Sequence, residues 1–271
     1  MAFSAKEMIR KRKSCRSFDG AALKVMDRAA LERFIGNVGN PFDVPVEFRL
    51  LDAKEYDLSS PVVVGADVYM AAKVARCANF EIGYGYSFEK ACLYAEHLGL
   101  GTVMLAASIS RAAFEKAMDL KDGEVMPVAS PVGYPAAKRT VRDSLMRKGL
   151  RADDRIAFEK LFFVDAFGHG LSKDYNGVFA EALEMLRWAP SATNRQPWRV
   201  IVSGGKVHFY EEKTLKDSPL GDIQKVDMGI ALCHFDLTMQ ENGHTGAFVF
   251  EDPGLEVPEY VHYIVTYVRA E

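Results

Sequence analysis

Residues 189–198 read Ala-Pro-Ser-Ala-Thr-Asn-Arg-Gln-Pro-Trp. A helical pattern from Asn176 to Trp188 runs into this stretch, and Pro190 stops it because proline has no N–H to give the helix. A strand pattern, Arg199 to Val202, follows. Two prolines fix the intervening backbone, while Ser191, Thr193, Asn194 and Gln196 offer hydroxyls and amides. A rigid loop of planar amides suits the polar edge of a heteroaromatic ring. A capped helix end beside a buried Trp198 accounts for the spacing equally well.

Outward from this loop the second half continues in order. Arg199–Val202 and Lys206–Tyr210 flank Gly204-Gly205, the signature of a two-residue hairpin. A long helix is expected over Asp222–Asn242, ended by Gly243, then strands at Ala247–Phe250 and Val261–Val268. The first half runs in a similar order. Ser4 and Glu7 form a capping box that opens a helix at Ala5. Asp27 can cap a second helix reaching about Val38. Val46–Leu51 alternates like a strand, and Tyr84–Leu98 is a helix ended by Gly99. Thr102–Ala106 reads as a short strand, Ser110 opens a short helix, and Val125–Val132 is strand-like. A charged helical stretch, Val141–Phe163, joins the halves, and Asp52–Ile82 and Leu161–Tyr175 resist assignment. The repeated order implies an internal duplication, with halves at 1–150 and 151–271 sharing one core.

The opening helix ends in Arg12-Lys13-Ser14-Cys15-Arg16-Ser17-Phe18, within a cluster that also holds Lys6, Arg10 and Lys11. Guanidinium and ammonium groups beside a hydroxyl suit a phosphate or another compact anion, and they also suit a solvated basic face. Net charge is −3, from 34 Lys and Arg against 37 Asp and Glu. That balance argues against a general binder of nucleic acid or anionic membrane. The chain has 271 residues, 49% of them hydrophobic and 26% charged, enough for a large core. The most apolar run, Pro61–Ala75, is broken by Asp67 and Lys73, so no spanning helix is expected. After Met1-Ala2-Phe3 the start becomes charged, unlike a secretory signal. Cys15, Cys77, Cys92 and Cys233 are scattered, which suits a reducing cytoplasm better than disulfides or zinc. Neither the six histidines nor adjacent Cys233-His234 shows metal spacing, so no metal site is expected. Gly99-Leu-Gly101 follows a helix and has Met104 where a dinucleotide fingerprint needs its third glycine.

Taken together, these segments resemble the nitroreductase family of FMN-dependent oxidoreductases. The resemblance rests on Arg12–Phe18, Ala189–Trp198, the helix ending in Gly99-Leu-Gly101 and the strand ending in Gly133-Tyr-Pro135. It spans almost the whole chain. The order departs from the usual one: the Asn-x-Gln-Pro-Trp loop stands after Gly-Tyr-Pro, and Gly36–Asp43 occupies its ordinary place. Members are usually homodimers with flavin at the interface. This chain is similar to a tandem branch in which one polypeptide mimics the dimer, and a single chain suffices for one site. The implied fold is α+β, with two mixed or antiparallel sheets around a shared helical core.

The resemblance implies that Arg12, Lys13, Ser14 and Arg16 hold the phosphate, ribityl chain and pyrimidine edge of FMN. Ser191 and Asn194 would meet the flavin from the other half, Pro190 would shape the wall, and Gln196 would touch the flavin or brace the loop. Arg155 would add a phosphate contact, and the backbone at Ala106-Ala107 would lie by flavin N5. No catalytic side chain is implied, because the flavin carries the chemistry; Arg16 would tune the reduced flavin electrostatically. NADH or NADPH would donate electrons, and a nitroaromatic, quinone or similar small molecule would accept them by a ping-pong mechanism. An FMN store or sensor without turnover, and a flavin-free scaffold, are the rival readings.

Overall fold

A computed structural model describes residues 3–270. Met1 and Ala2, the first two residues of the short apolar start, lie outside the described residues, as does Glu271. In chain order the elements are α1 (Ala5–Lys11), α2 (Val25–Ile35), β1 (Val46–Asp52), α3 (Ala53–Tyr56), β2 (Val68–Ala75), α4 (Phe80–His97), β3 (Gly101–Thr102), α5 (Arg111–Ala117), β4 (Glu124–Val125) and β5 (Ala129–Gly133). There follow α6 (Val141–Gly149), α7 (Phe158–Leu161), β6 (Phe162–Val164), α8 (Ala180–Arg187), a 3-10 turn (Ala192–Asn194), β7 (Trp198–Ser203), β8 (Lys206–Glu212), α9 (Ile223–Glu241), β9 (Gly246–Val249) and β10 (Val261–Arg269).

The first sheet runs β1-β2-β5-β3, all antiparallel, with β4 pairing the far end of β2. The second runs β6-β7-β8-β10-β9, antiparallel except for β6 on β7. The path β1-β2-β5-β3 has the same connectivity as β7-β8-β10-β9, with α4 and α9 in corresponding places. These two helices are buried along most of their lengths and pack on each other between the sheets. One apolar core joins Met70 and Val74 of the first sheet to Val200 and Phe209 of the second. At the helix crossing, a Cβ on Gly85 would lie 2.0 Å from the Val226 carbonyl oxygen. A Cβ on Gly229 would lie 2.1 Å from that of Ile82. One sequence offset relates Gly85 to Gly229, Ile82 to Val226, and the C-terminal glycines Gly99 to Gly243.

Several local expectations change. Asp27 does not cap α2, whose N-cap is Lys24; its carboxylate accepts from the Tyr134 hydroxyl at 2.5 Å instead. Helix α4 starts at Phe80, ahead of the expected Tyr84, and its Gly83 and Gly85 pack closely against Val44 and Val226. The stretch Val141–Phe163 is not one helix. It stops at Gly149, Arg151 turns left-handed at φ 47°, and the chain reaches α7 and then β6. The strand expected over Thr102–Ala106 ends at Thr102, and Val125–Val132 splits into β4 and β5. Central strand β2 lies within the stretch that resisted assignment. It is buried on both faces, so it lacks the polar alternation that marks a half-exposed strand. The hairpin at Gly204-Gly205 forms, with φ of 55° and 74° as its twist requires.

Candidate functional site

Two segments far apart in sequence meet across one cavity. Ser4 caps α1 by accepting from the Glu7 N–H at 3.2 Å, which aims the helix so that residues 12–16 leave its C-terminus. That segment then lies beside β3: Cys15 N–H donates to the Thr102 carbonyl at 2.9 Å. Gly101 permits the approach, since a Cβ there would stand 2.8 Å from Cys15 Cβ. The opposite wall is the loop after α8. Thr193, Asn194 and Gln196 all have positive φ, between 50° and 57°, a conformation that a β-branched threonine adopts only under constraint. The constraints are visible. Gln196 N–H donates to Ser191 Oγ at 2.8 Å, and Ala192 N–H donates to both Asp227 oxygens at 3.0 and 3.1 Å. Asn194 Nδ2 donates to the Arg151 and Asp154 carbonyls at 2.7 and 3.1 Å.

Between these walls lies a cavity of about 590 Å³, within the range of roughly 300–1,000 Å³ typical of small-molecule sites. Ile223, Val226 and Ile230 of α9, with Val103, Leu105 and Val128, supply apolar lining. Of the eleven residues singled out in the sequence, ten line this space: Arg12, Lys13, Ser14, Arg16, Ala106, Ala107, Arg155, Pro190, Ser191 and Asn194. Gln196 does not. It is buried behind the loop, where its Oε1 accepts from Ile156 N–H at 2.9 Å and its amide donates to Asn194 Oδ1 at 3.3 Å, so it braces. The N–H groups of Ala106 and Ala107 donate to no protein acceptor among the described residues. The guanidinium of Arg111 pins their loop by donating to the Ala106 and Met126 carbonyls.

The cavity also has walls that the sequence reading missed: Arg10, Arg147, Asp153, Trp188 and Asp227. Arg147 sat in an expected continuous helix, and Asp227 is one carboxylate in a nearly all-buried helix. Arginines and Lys13 outnumber carboxylates on the lining, and the buried Nε atoms of Arg16 and Arg155 have no hydrogen-bond partner among the described residues. Unpaired buried donors are costly in a closed protein and suit a ligand that brings acceptors. Arg16 lies 3.6 Å from Asp143, and burial lowers its pKa. Arg155 donates to the Ala152, Asp154 and Trp188 carbonyls and stacks on the Trp188 ring, which leaves its charge facing the site but few free donors. Arg12 Nε sits 3.2 Å from Glu89 Oε1, which also contacts His234 Nε2 at 2.8 Å; Glu89 and His234 are fully buried. His234 Nδ1 faces the Met185 carbonyl, so the histidine read as a core residue fixes the carboxylate that holds Arg12. The donor set fits a phosphorylated molecule with an aromatic ring.

Burial pushes the Asp227 carboxyl well above the usual carboxylate range. Behind it, burial and the facing Asp222 push Glu211 up to about 7. The folded chain therefore keeps a proton on Glu211 that the unfolded chain releases near pH 4.5. This contribution to stability is whole below that pH and is lost as pH rises towards 7. Glu211→Gln is expected to match the parent near pH 4 and to exceed it at pH 8 by about 1–3 kcal/mol. Urea titrations at the two pH values check this; equal midpoints at pH 8 would refute it.

The two sheets, the crossed helices between them and the cavity beside them define the nitroreductase fold. A family profile described as "Putative TM nitroreductase" matches residues 4–239, and the chain belongs to that family. The family's description places it among oxidoreductases. Among solved structures, a "putative nitroreductase" from Thermotoga maritima MSB8 is 20% identical. The match covers 98% of this chain and 93% of that one, with a TM-score of 0.63. A "Putative NADH dehydrogenase/NAD(P)H nitroreductase" from Bacteroides thetaiotaomicron VPI-5482 is 22% identical, covering 50% of this chain and 89% of that one, with a TM-score of 0.42. An "FMN-dependent Nitroreductase" from Clostridium difficile R20291 is 12% identical, covering 49% and 88%, with a TM-score of 0.42. No curated protein matches the chain. Among the described residues, no helix is long and apolar enough to cross a membrane.

Proposed function

We propose that the chain is an FMN-dependent oxidoreductase that moves electrons from NADH or NADPH to a nitroaromatic, quinone or similar small acceptor. The carrying observation is the meeting of the Arg12–Arg16 segment and the Pro190–Asn194 loop across one cavity. FMN, when bound, would supply reversible two-electron chemistry between the nicotinamide and the acceptor. The residues of this chain bind and orient. Arg12, Lys13 and Ser14 meet the phosphate, and their charge is held in place by Glu89 behind Arg12. Ser191, Pro190 and Asn194 form the facing wall, and the free N–H groups at Ala106 and Ala107 offer donors to the ring edge. Arg16 would bring positive charge to the pyrimidine side, moderated by Asp143. Donor and acceptor use one space in turn, which gives ping-pong kinetics and needs no side-chain nucleophile.

The matching strand order and the shared glycine offset support reading 1–150 and 151–271 as copies of one unit. The corresponding space on the other side of the crossing is filled. Phe42 precedes β1 by as many residues as Asn194 precedes β7. Its ring packs on Tyr86, Phe248 and Phe250 with centroids at 6.0, 5.3 and 6.1 Å. By the glycine offset those three stand where Ile230, Met104 and Ala106 line the cavity. One flavin per chain is therefore expected.

The test is the visible spectrum of the purified chain after FMN is added and the sample desalted, followed by anaerobic NADH and NADPH. Retention of one FMN per chain and bleaching by a nicotinamide supports this reading. Retained flavin that stays oxidised favours a store or sensor. A folded chain that retains no flavin refutes the site.

A further inference from the structure

Helix α9 presents Ile223, Val226, Asp227 and Ile230 to the main cavity, the spacing of a single helix face. Three of the four are apolar, and Asp227 is buried among them. Among the described residues its polar partner is the Ala192 N–H, which donates to both oxygens at 3.0 and 3.1 Å. The other carboxylate of the lining, Asp153, is exposed and tied to Arg147. The described lining holds no histidine, tyrosine or cysteine. Lysine and arginine hold their protons too tightly to give them up near neutral pH, as do serine and threonine hydroxyls. Burial raises the Asp227 carboxyl well above the ordinary range, so this group carries a proton at the cavity wall. Behind it a line of groups leads to the surface. Glu211 on β8 is fully buried, and neither of its carboxyl oxygens has a partner among the described residues. Burial and the facing Asp222 hold it up to about 7, against the pull of Lys213 and Lys225. Asp222 Oδ2 accepts from Lys213 Nζ at 2.7 Å, and Lys213 Nζ also donates to the exposed Asp217 at 2.7 Å.

We propose that Asp227 is the acid that protonates the acceptor in the main cavity, and that Glu211 passes it the next proton from the Asp222–Lys213 pair at the surface. The inference rests on the oxidoreductase reading. Reduction of a quinone to a hydroquinone takes up two electrons and two protons. The nicotinamide brings both electrons and one proton, and one further proton must come from elsewhere. Asp227 gives that proton to a quinone oxygen and is left as a carboxylate. The Ala192 N–H already donates to both of its oxygens and steadies the charge. A proton taken from solvent and handed on by Glu211 restores the acid, so each turnover consumes one NADH or NADPH, one quinone and one proton. Glu211 suits the task because a group that titrates near the working pH both gains and gives a proton readily.

The experiment compares two acceptors on the full-length, FMN-loaded chain and on D227N and E211Q. Menadione needs electrons and protons, whereas ferricyanide takes electrons alone. The readout is the ratio of the menadione rate to the ferricyanide rate, which a loss of fold or of flavin lowers for neither acceptor in particular. In D227N the ratio should fall by about a hundredfold, the low end for loss of a general acid. In E211Q, which keeps Asp227 but cuts its supply, the steady-state ratio should fall by about tenfold. E211Q also carries the test if D227N does not fold. Infrared spectra of the flavin-free chain give a second readout: the parent should show an un-ionised carboxyl band at pH 7 that D227N lacks. An unchanged ratio in either variant would overturn the proposal, as would identical carboxyl bands in parent and D227N. A parent chain that reduces neither acceptor would refute the oxidoreductase reading, and the acid role with it, even where the infrared band is present.

Discussion

Gly229→Ala is expected to lower the unfolding free energy by about 4 kcal/mol, among the largest effects of a single substitution. For a chain of this size that is a fall in Tm of roughly 10 °C. The new Cβ would lie 2.1 Å from the Ile82 carbonyl oxygen, 2.8 Å from the Tyr86 amide nitrogen and 2.9 Å from the Ile82 carbonyl carbon. All three are backbone atoms of α4, so no side chain can rotate away, and α4 must move from α9. Helix propensity pulls the other way, since alanine is favoured over glycine by about 1 kcal/mol. The clash wins because the crossing ties both sheets to one core. Gly85→Ala should behave alike, with the Val226 carbonyl oxygen 2.0 Å from the new methyl. Thermal melts of the two variants check this, and a Tm within about 2 °C of the parent would show that the crossing yields.

Arg12→Ala is expected to lose FMN retention and also to destabilise the flavin-free chain by about 3–5 kcal/mol, the scale for breaking a buried ion pair. Glu89 is fully buried, and among the described residues its Oε2 has no partner and, without Arg12, only His234 contacts Oε1. Adding Glu89→Gln to Arg12→Ala removes the stranded charge, so it should recover much of the stability while leaving FMN unbound. Denaturant melts of the flavin-free proteins and FMN absorbance after desalting separate the two effects. Equal stability of Arg12→Ala and parent would show that Glu89 does not depend on Arg12. Undiminished FMN retention would remove Arg12 from the proposed phosphate site.

How much was legible depended on whether the signal was local. Hairpin β7–β8 was readable because Gly204-Gly205 carries its own turn conformation. The ends of α4 and α9 were readable because Gly99 and Gly243 accept left-handed C-caps. Strand β2 was not, because burial on both faces removes alternation and leaves an apolar run without a period. Residues 150–156 were read as helix because their composition is helical. In the fold, the Arg151 and Asp154 carbonyls and the Ile156 N–H bond to side chains of Asn194 and Gln196. A loop some 40 residues on thus satisfies backbone groups that a helix would otherwise satisfy itself.

For the site, the sequence by itself determined the residue types: a basic segment ending α1, and a proline-bounded amide loop ending α8. It also fixed the two long helices and their stop signals, since caps and turns act over a few residues. Only the tertiary structure decided that these segments share a cavity, that Gln196 braces instead of lining it, and that Arg147 and Asp227 complete the walls. It alone showed the Phe42 ring packing on Tyr86, Phe248 and Phe250. The physical reason is range. Backbone conformation answers to neighbours three or four residues away, whereas a cavity is what remains when two helices cross at Gly85 and Gly229 and bring distant loops together.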